Sequence, residues 1–270
     1  MAIISATALK GGVSKTTLVH NLAGAMSLAG RRVLAVDNDP QSSLSSGMFG
    51  AAAIEQFDPA STVAAIYSGS DPLPSDVIRP SGIPGVDILA GSMAAARYNL
   101  PEPYLLPVEA QTCLRSFLEE VRGEYDAILI DNPPNLSGAN WAAMVASDYI
   151  VVPMIPEDYG AASLSPVLES IRLVASGPNP GVVFLGMVLT MVQARTVVHT
   201  AYETMLRQVH GDRVFAARIP MAIDIKDAIS LRKPITHHKP KGASSKAFRA
   251  LAEEIESRIQ SRVETPAEAA

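Results

Sequence analysis

Cysteine is nearly missing from this chain: Cys113 stands alone among 270 residues. No internal disulfide and no cysteine-rich metal or cluster site can be built from it, so a reducing compartment is expected. Cys113 itself reads as a small apolar residue in a helix. Long apolar runs are missing as well. The longest, Val182 to Val192, is interrupted by Gly186 and Thr190 and falls short of the roughly 20 residues that a membrane-spanning helix needs. Met1 to Leu9 is apolar, but it has no basic n-region and runs straight into Lys10-Gly11-Gly12, so it does not read as a secretory signal and the expected location is cytoplasmic. With 18 glycines, 20 prolines and 48% apolar residues, the composition excludes both a low-complexity chain and an intrinsically disordered one. A surplus of positive charge is missing too. The formal charge of −5 argues at face value against a surface coated for nucleic acid.

What the chain does have is alternation. Short β-branched runs at Ile3 to Ala6, Arg32 to Asp37, Ala127 to Asp131, Tyr149 to Pro153, Val182 to Leu189 and Val214 to Ile219 are each followed by a stretch of helical period. Leu18, Leu22, Met26 and Ala29 form one such stretch, and Leu164, Val167, Leu168, Ile171 and Val174 another. This pattern predicts an α/β fold, a doubly wound and mostly parallel sheet with helices on both faces. Residues 51–107 read differently, with seven prolines between Pro72 and Pro107 and weak periodicity. They are expected to form an excursion carrying a hairpin-like pair around Val77 to Arg79 and Val86 to Leu89, inside a single domain over residues 1–263. The last strong helix spans Ser244 to Val263, and residues 264–270 are expected to form a frayed, flexible tail.

The first strand ends directly in Lys10-Gly11-Gly12-Val13-Ser14-Lys15-Thr16-Thr17, and a helical segment begins at once. A strand, a glycine-bearing turn and a helix N-terminus make a phosphate cradle, because unpaired backbone N–H groups and the positive end of the helix dipole converge there. Lys15 is placed to reach the β- and γ-phosphates and the Thr16 hydroxyl to bind Mg²⁺. The strict G-x-x-x-x-G-K-[ST] pattern is not met, since Leu9 and Ser14 occupy its glycine positions. The pattern present, K-G-G-x-x-K-[ST]-T, resembles the deviant Walker A box of the ParA/MinD family of partitioning and positioning ATPases.

The resemblance extends well beyond the loop. Val33 to Gln41 (VLAVDNDPQ) is similar to the family's D-x-D-P-Q box, and Tyr125 to Pro134 (YDAILIDNPP) to its Walker B strand with D-x-P-P. Ala146-Ser147-Asp148 through Val152-Pro153, Leu189-Thr190-Met191 with Ala194-Arg195-Thr196, Arg218-Ile219-Pro220 and the helix with Lys246-Ala247-Phe248-Arg249 carry it over most of residues 1 to 262. It implies a P-loop NTPase fold, ATP and Mg²⁺ as cofactors, and ATP hydrolysis that is slow and stimulated by a partner. By the same resemblance, residues Lys10 to Thr17 hold the nucleotide, Asp39 orients or activates the attacking water, and Asp37 and Asp131 hold Mg²⁺ largely through water. The bland alternative for either of these two aspartates is a helix or turn cap. Lys10 is the signature lysine, which in relatives crosses to the nucleotide of the opposing subunit and implies an ATP-sandwich homodimer. Pro220 borders the adenine ring, although Met221 and Ala222 stand where relatives commonly have arginine and asparagine. Ser14 replaces the glycine before the Walker lysine, so hydrolysis is expected to be slowed while binding survives. Asn140 and Glu157 also match family positions, without a role that spacing supplies.

The ends of the chain separate branches of this class. One cysteine does not fit the nitrogenase-reductase-like branch and its shared iron–sulfur cluster. The mixed-charge C-terminus does not resemble the basic membrane-inserting helix of MinD-like proteins, so no membrane partner is expected. Between Lys226 and Arg249 there are seven basic residues, Lys226, Arg232, Lys233, Lys239, Lys241, Lys246 and Arg249, against the single acid Asp227. This segment carries about +6 on a body that is otherwise acidic, and His237 and His238 add charge below neutral pH. ParA-like relatives bind DNA without sequence preference as the ATP dimer, and the basic segment together with Arg195 is the expected DNA-binding set, although Asp224 occupies a position where relatives often have another arginine. The leading expectation is a nucleoid-associated ATPase that partitions plasmid or chromosomal DNA, or positions another cargo, with a ParB-like or other adaptor protein. The alternative is a regulator or protein-cargo module of the same family without a DNA role. An ATP-dependent ligase is disfavoured because no second-substrate signature stands out.

Overall fold

Among the described residues, five strands have every residue or all but one buried, and the pattern they make positions the site. The computed structural model describes residues 1–193 and 196–264. The first half of the chain builds β1 (Ala2–Ala6), α1 (Lys15–Leu28), β2 (Val33–Asp37), the short helices α2 (Ser43–Phe49), α3 (Ala51–Ile54), α4 (Val63–Tyr67) and α5 (Pro74–Val77), β3 (Ile78–Pro80), β4 (Val86–Leu89), α6 (Val108–Val121) and β5 (Ala127–Asp131). The second half builds α7 (Gly138–Ala146), β6 (Tyr149–Met154), α8 (Asp158–Ala175), β7 (Val183–Val192), α9 (Val197–His210), β8 (Val214–Pro220), α10 (Ile223–Ser230), α11 (Ile235–His238) and α12 (Ala243–Glu264). The eight strands form one sheet in the order β3-β4-β2-β5-β1-β6-β7-β8. All neighbours are parallel except β3 and β4.

Each central strand feeds two cores, because successive side chains point to opposite faces. Ile4, Ala35 and Leu129 belong to the layer under α1 and α12, whereas Ile3, Leu34, Val36, Ile128 and Ile130 face α4, α6 and α7. A third apolar cluster joins β6 and β7 to α7 and α8. The doubly wound sheet expected from the alternation is therefore what the chain forms, with strand limits within two or three residues of the sequence reading. The proline-rich segment does more than decorate it: β3 and β4 pair as the expected hairpin, and β4 also lies parallel to β2, so the segment extends the sheet by two strands.

Helix α1 is buried on nearly all sides, with Leu18, Val19, Leu22, Ala23, Gly24, Ala25 and Met26 inside. Gly24 is required there, since a Cβ at that position would lie 2.3 Å from Pro234 Cβ. On its other flank lies α12, whose Phe248, Leu251, Ala252 and Ile255 are buried at helical spacing. That docking uses the apolar face of the C-terminal helix within the protein. Among the described residues no helix is long and apolar enough to cross a membrane. Residues 265–270 of the expected tail lie outside the described residues.

Candidate functional site

The parallel register sets the site. Asp37 at the end of β2 and Ala6 at the end of β1 are both register partners of Asp131 at the end of β5. Two aspartates and the strand that leads into the phosphate loop thus finish at one level, at the carboxyl edge of the sheet where open α/β folds gather ligands. The loop from Lys10 to Ser14 then turns into α1. Gly12 has a φ of 80° and Ser14 a φ of 66° and ψ of 31°, so the expected glycine position is left-handed, yet it is occupied by serine. Ser14 is the N-cap of α1 and its side chain makes no capping hydrogen bond.

Lys15 is 7% exposed and its Nζ lies 3.4 Å from Ala8 O. Burial lowers its pKa, while the Asp131 and then the Asp39 carboxylates pull the other way. Thr190 holds the loop from beneath. Its Oγ1 is 3.0 Å from Val13 O and 3.1 Å from Met154 O, so one proton is shared between β6 and the loop. Spacing alone did not single out Thr190, although it sits in the L-T-M motif.

The aspartates divide their tasks. Asp37 Oδ2 accepts from both the backbone N–H and the hydroxyl of Ser45, each at 2.7 Å, so this carboxylate does cap α2. Its Oδ1 has no hydrogen-bond partner, and at Asp131 only the Thr16 hydroxyl approaches, outside good hydrogen-bond geometry. Both carboxyls are fully buried. Desolvation pushes both upward from the ordinary carboxylate range; the Asp37 charge raises Asp131 further, against the pull of the Thr16 hydroxyl and Lys15. Three orphaned carboxylate oxygens beside a buried lysine and a helix-start threonine are a poor arrangement for an empty core and a good one for a hydrated divalent cation. Among the described residues no cluster of three histidine, cysteine or acidic groups could hold a metal. Thr16, Asp37 and Asp131 are the groups here that could hold a Mg²⁺ ion completed by phosphate oxygens and water. Gly91 closes the floor. A Cβ there would lie 2.8 Å from Asp37 Cγ.

Asp39 is half-buried, and its Oδ1 accepts from Gln41 N at 2.9 Å. Lys10 lies 3.9 Å from Glu157 Oε2 across two partly exposed side chains, which gives Glu157 a place that spacing had not supplied. Asn140, the other such residue, is buried and bonds Pro133 O and Asn135 O with its Nδ2, bracing the turn after Asp131. The proline-rich segment braces the same turn from outside: Gly138 N donates to Leu100 O and Ala139 N to Asn99 Oδ1.

Pro220 lines an apolar cleft with Ser14, Thr17, Leu18, Ile219 and Met221, directly beside the phosphate loop. Lys226, counted among the basic residues, borders this cleft too. Lys233, Lys239, Lys241 and Lys246 are exposed, and Arg249 is half-buried. Arg232 covers the Gly50 α-carbon, its Nη2 lying 2.5 Å from where a Cβ would be. Asp224 accepts from Ser244 Oγ and joins α10 to α12. His237 departs from expectation: burial, followed by the charge of Lys233, lowers its pKa, so it gains charge only at more acid pH than an exposed histidine. Arg195 lies outside the described residues.

Comparison with known proteins gives this arrangement its relatives. A family model described as an AAA domain matches residues 1–183. The chromosome-partitioning ATPase Soj of Thermus thermophilus is 33% identical over 257 residues, 93% of this chain and 94% of Soj. The chromosome partitioning protein ParA of Caulobacter vibrioides is 31% identical over 260 residues, 94% of this chain and 93% of ParA. Among solved structures, the Mycobacterium smegmatis cobyrinic acid a,c-diamide synthase with bound ADP and magnesium superposes with a TM-score of 0.78 over 99% of this chain and 97% of the synthase, at 23% identity, a likeness of fold. With two full-length relatives above 30% identity and the phosphate loop, paired aspartates and strand order in place, the chain belongs to the Soj/ParA family of partitioning ATPases.

Proposed function

We propose that this chain is an ATP-hydrolysing switch that dimerises around ATP, binds DNA without sequence preference as that dimer, and partitions DNA or positions another cargo through a ParB-like adaptor that stimulates hydrolysis. The observation that carries the reading is the buried pair of register-matched aspartates with orphaned oxygens, level with the end of β1 where the Lys10 to Thr17 loop departs. A binding module with no phosphate chemistry has no use for such groups. The naming of one relative as an ATPase and the ADP and magnesium bound to the structural neighbour support ATP and Mg²⁺ as ligands.

In this reading the amides of Gly11 to Thr17 and the Lys15 ammonium bind and orient the phosphates. Asp39 orients the attacking water, and Lys10 crosses to the nucleotide of a second copy. The Pro220 cleft takes the adenine ring. Mg²⁺, held by Thr16, Asp37 and Asp131, supplies neutralisation of the charge that develops on the transferring phosphoryl group. Lys226, Arg232, Lys233, Lys239, Lys241, Lys246, Arg249 and Arg195 make the DNA face, which two-fold pairing doubles. The protein would then be cytoplasmic and associated with the nucleoid.

The test is DNA binding with ATP, ADP or no nucleotide at two salt concentrations. Binding that requires ATP and falls steeply with salt is expected. Binding that ignores the nucleotide refutes the switch. ATP-dependent dimerisation with no DNA binding assigns the chain to the non-DNA regulators of the family instead. Asp39→Ala should trap the dimer on DNA, and Lys15→Ala should abolish nucleotide binding.

A further inference from the structure

The D-x-D-P-Q and D-x-P-P boxes carry the same residue at their first x position, Asn38 and Asn132. Each follows one of the register-paired aspartates, so the fold brings two asparagines side by side at the end of β2 and β5. Both are fully buried. Asn38 Nδ2 donates to Asn132 Oδ1 at 2.9 Å and to Ala139 O at 2.7 Å, and Asn38 Oδ1 accepts from the Tyr67 hydroxyl at 2.7 Å. Asn132 Nδ2 continues the chain to Ser5 Oγ at 2.6 Å and Ala6 O at 3.1 Å. Every donor hydrogen of Asn38 is used and both amide orientations are fixed by their partners. Two buried carboxamides beside two buried aspartates are held in place by a network that satisfies them.

The network joins the parts that the reading above requires to act together. Asn38 immediately precedes Asp39, while Asn132 and Ala139 bracket the turn after Asp131. Among the described residues, the hydrogen bonds between these two loops are the backbone bond Asn38 N to Asp131 O and the asparagine contacts. We propose that Asn38 and Asn132 are a positioning pair that locks the Asp39 loop to the turn after Asp131, holding the water-orienting carboxylate in register with the phosphate end of the site during hydrolysis. This rests on the ATPase reading and adds to it two residues that act through the Asp39 loop and the turn after Asp131.

The test uses the full chain with N38L, N132L and the double variant N38L/N132L, which replaces both partners with side chains of similar volume. Mg²⁺-dependent binding of a fluorescent ATP analogue, single-turnover hydrolysis and thermal unfolding are measured on each. Affinity is expected to stay within about twofold while the hydrolysis rate falls about tenfold, and the double variant should be no slower than the worse single, as for coupled groups. Tyr67→Phe deletes one hydroxyl at the outer end and keeps the test open if the leucine variants do not fold; a loss of about threefold in rate at unchanged affinity is expected. Equal losses in affinity and rate, additive single effects, or an unchanged rate in folded Tyr67→Phe overturn the proposal. A wild-type chain that binds nucleotide but never hydrolyses it defeats the ATPase reading and this inference together. Wild-type turnover with unaffected variants defeats the inference alone.

Discussion

Ser14→Gly tests the link between backbone strain and turnover at a position where both are visible. A left-handed conformation costs a residue with a Cβ about 1–2 kcal/mol, and Ser14 has no capping hydrogen bond to offset it. Glycine removes that cost but widens the unfolded ensemble, which takes back about 0.4–1 kcal/mol. The net is a stabilisation of about 1 kcal/mol, and in a chain of this size that raises Tm by about 2 °C. The same change opens the loop beside the Walker lysine. If the serine Cβ prevents the cradle from tightening on the γ-phosphate, release of about 1 kcal/mol of strain in the transition state speeds hydrolysis by about fivefold.

A second substitution separates these effects. Glu102 also has a positive φ, 50°, and is exposed in the proline-rich segment. Glu102→Gly should raise Tm to a similar extent and leave turnover alone. Calorimetry without nucleotide, equilibrium binding of a non-hydrolysable analogue and steady-state hydrolysis are needed for all three proteins. A Ser14→Gly protein with the wild-type affinity and rate refutes the idea that serine slows this site. A lowered Tm refutes the strain argument itself.

Three further outcomes follow from the site. Thr190→Val keeps the volume but leaves Val13 O and Met154 O without the shared hydroxyl, which should cost about 1–2 kcal/mol and a Tm drop of a few degrees, with weaker nucleotide binding; calorimetry with and without nucleotide reads both. His20 is buried with neither ring nitrogen bonded, and burial, reinforced by His237, lowers its pKa from 6.5 to about 4. The unfolded chain binds that proton first, so wild-type stability falls as pH drops from 6.5 toward 4; His20→Leu should flatten this limb in urea melts recorded across the window. Asp37 and Asp131 act in the opposite sense. Their carboxyls keep protons that the unfolded chain has lost, so they destabilise the nucleotide-free protein as pH rises from the ordinary carboxylate range toward neutrality, and Mg²⁺ with ADP should stabilise it more at the upper end of that window and release protons on binding. A nucleotide-induced Tm increase that does not grow with pH refutes the assignment of these carboxylates to the metal.

The legible parts of this protein were those written in contiguous residues. Strand runs such as Ala127 to Ile130 announce themselves because a strand buried on both faces is apolar along its length, and the expected phosphate loop follows from a glycine-bearing turn between a strand and a helix start. Ser14 was also legible, since a serine where the turn demands positive φ predicts the strain that the backbone shows. The partners of these residues were not. Ser45, Gly91 and Tyr67 reach the site from segments of weak period, and each meets its partner only through the register of β2, β4 and β5. Lys226 belonged by charge to the DNA face, yet the turn after β8 also sets it at the cleft of Pro220. Charge counts see sequence distance, whereas the cleft is made by strand ends.

The paired asparagines show how much of this was available in principle. Once Asp37 and Asp131 are read as equivalent strand termini, the next residue of each is bound to be its neighbour's neighbour, and finding asparagine at both is a statement about contact. An apolar residue at either place would remove one bond, Asn38 Nδ2 to Asn132 Oδ1, and leave one buried polar atom of the other carboxamide without its partner, at a cost of about 1–3 kcal/mol. That bond, with Asn38 Nδ2 to Ala139 O, couples the two turns, which is why the loops of Asp39 and Asp131 are expected to answer to the γ-phosphate as one body.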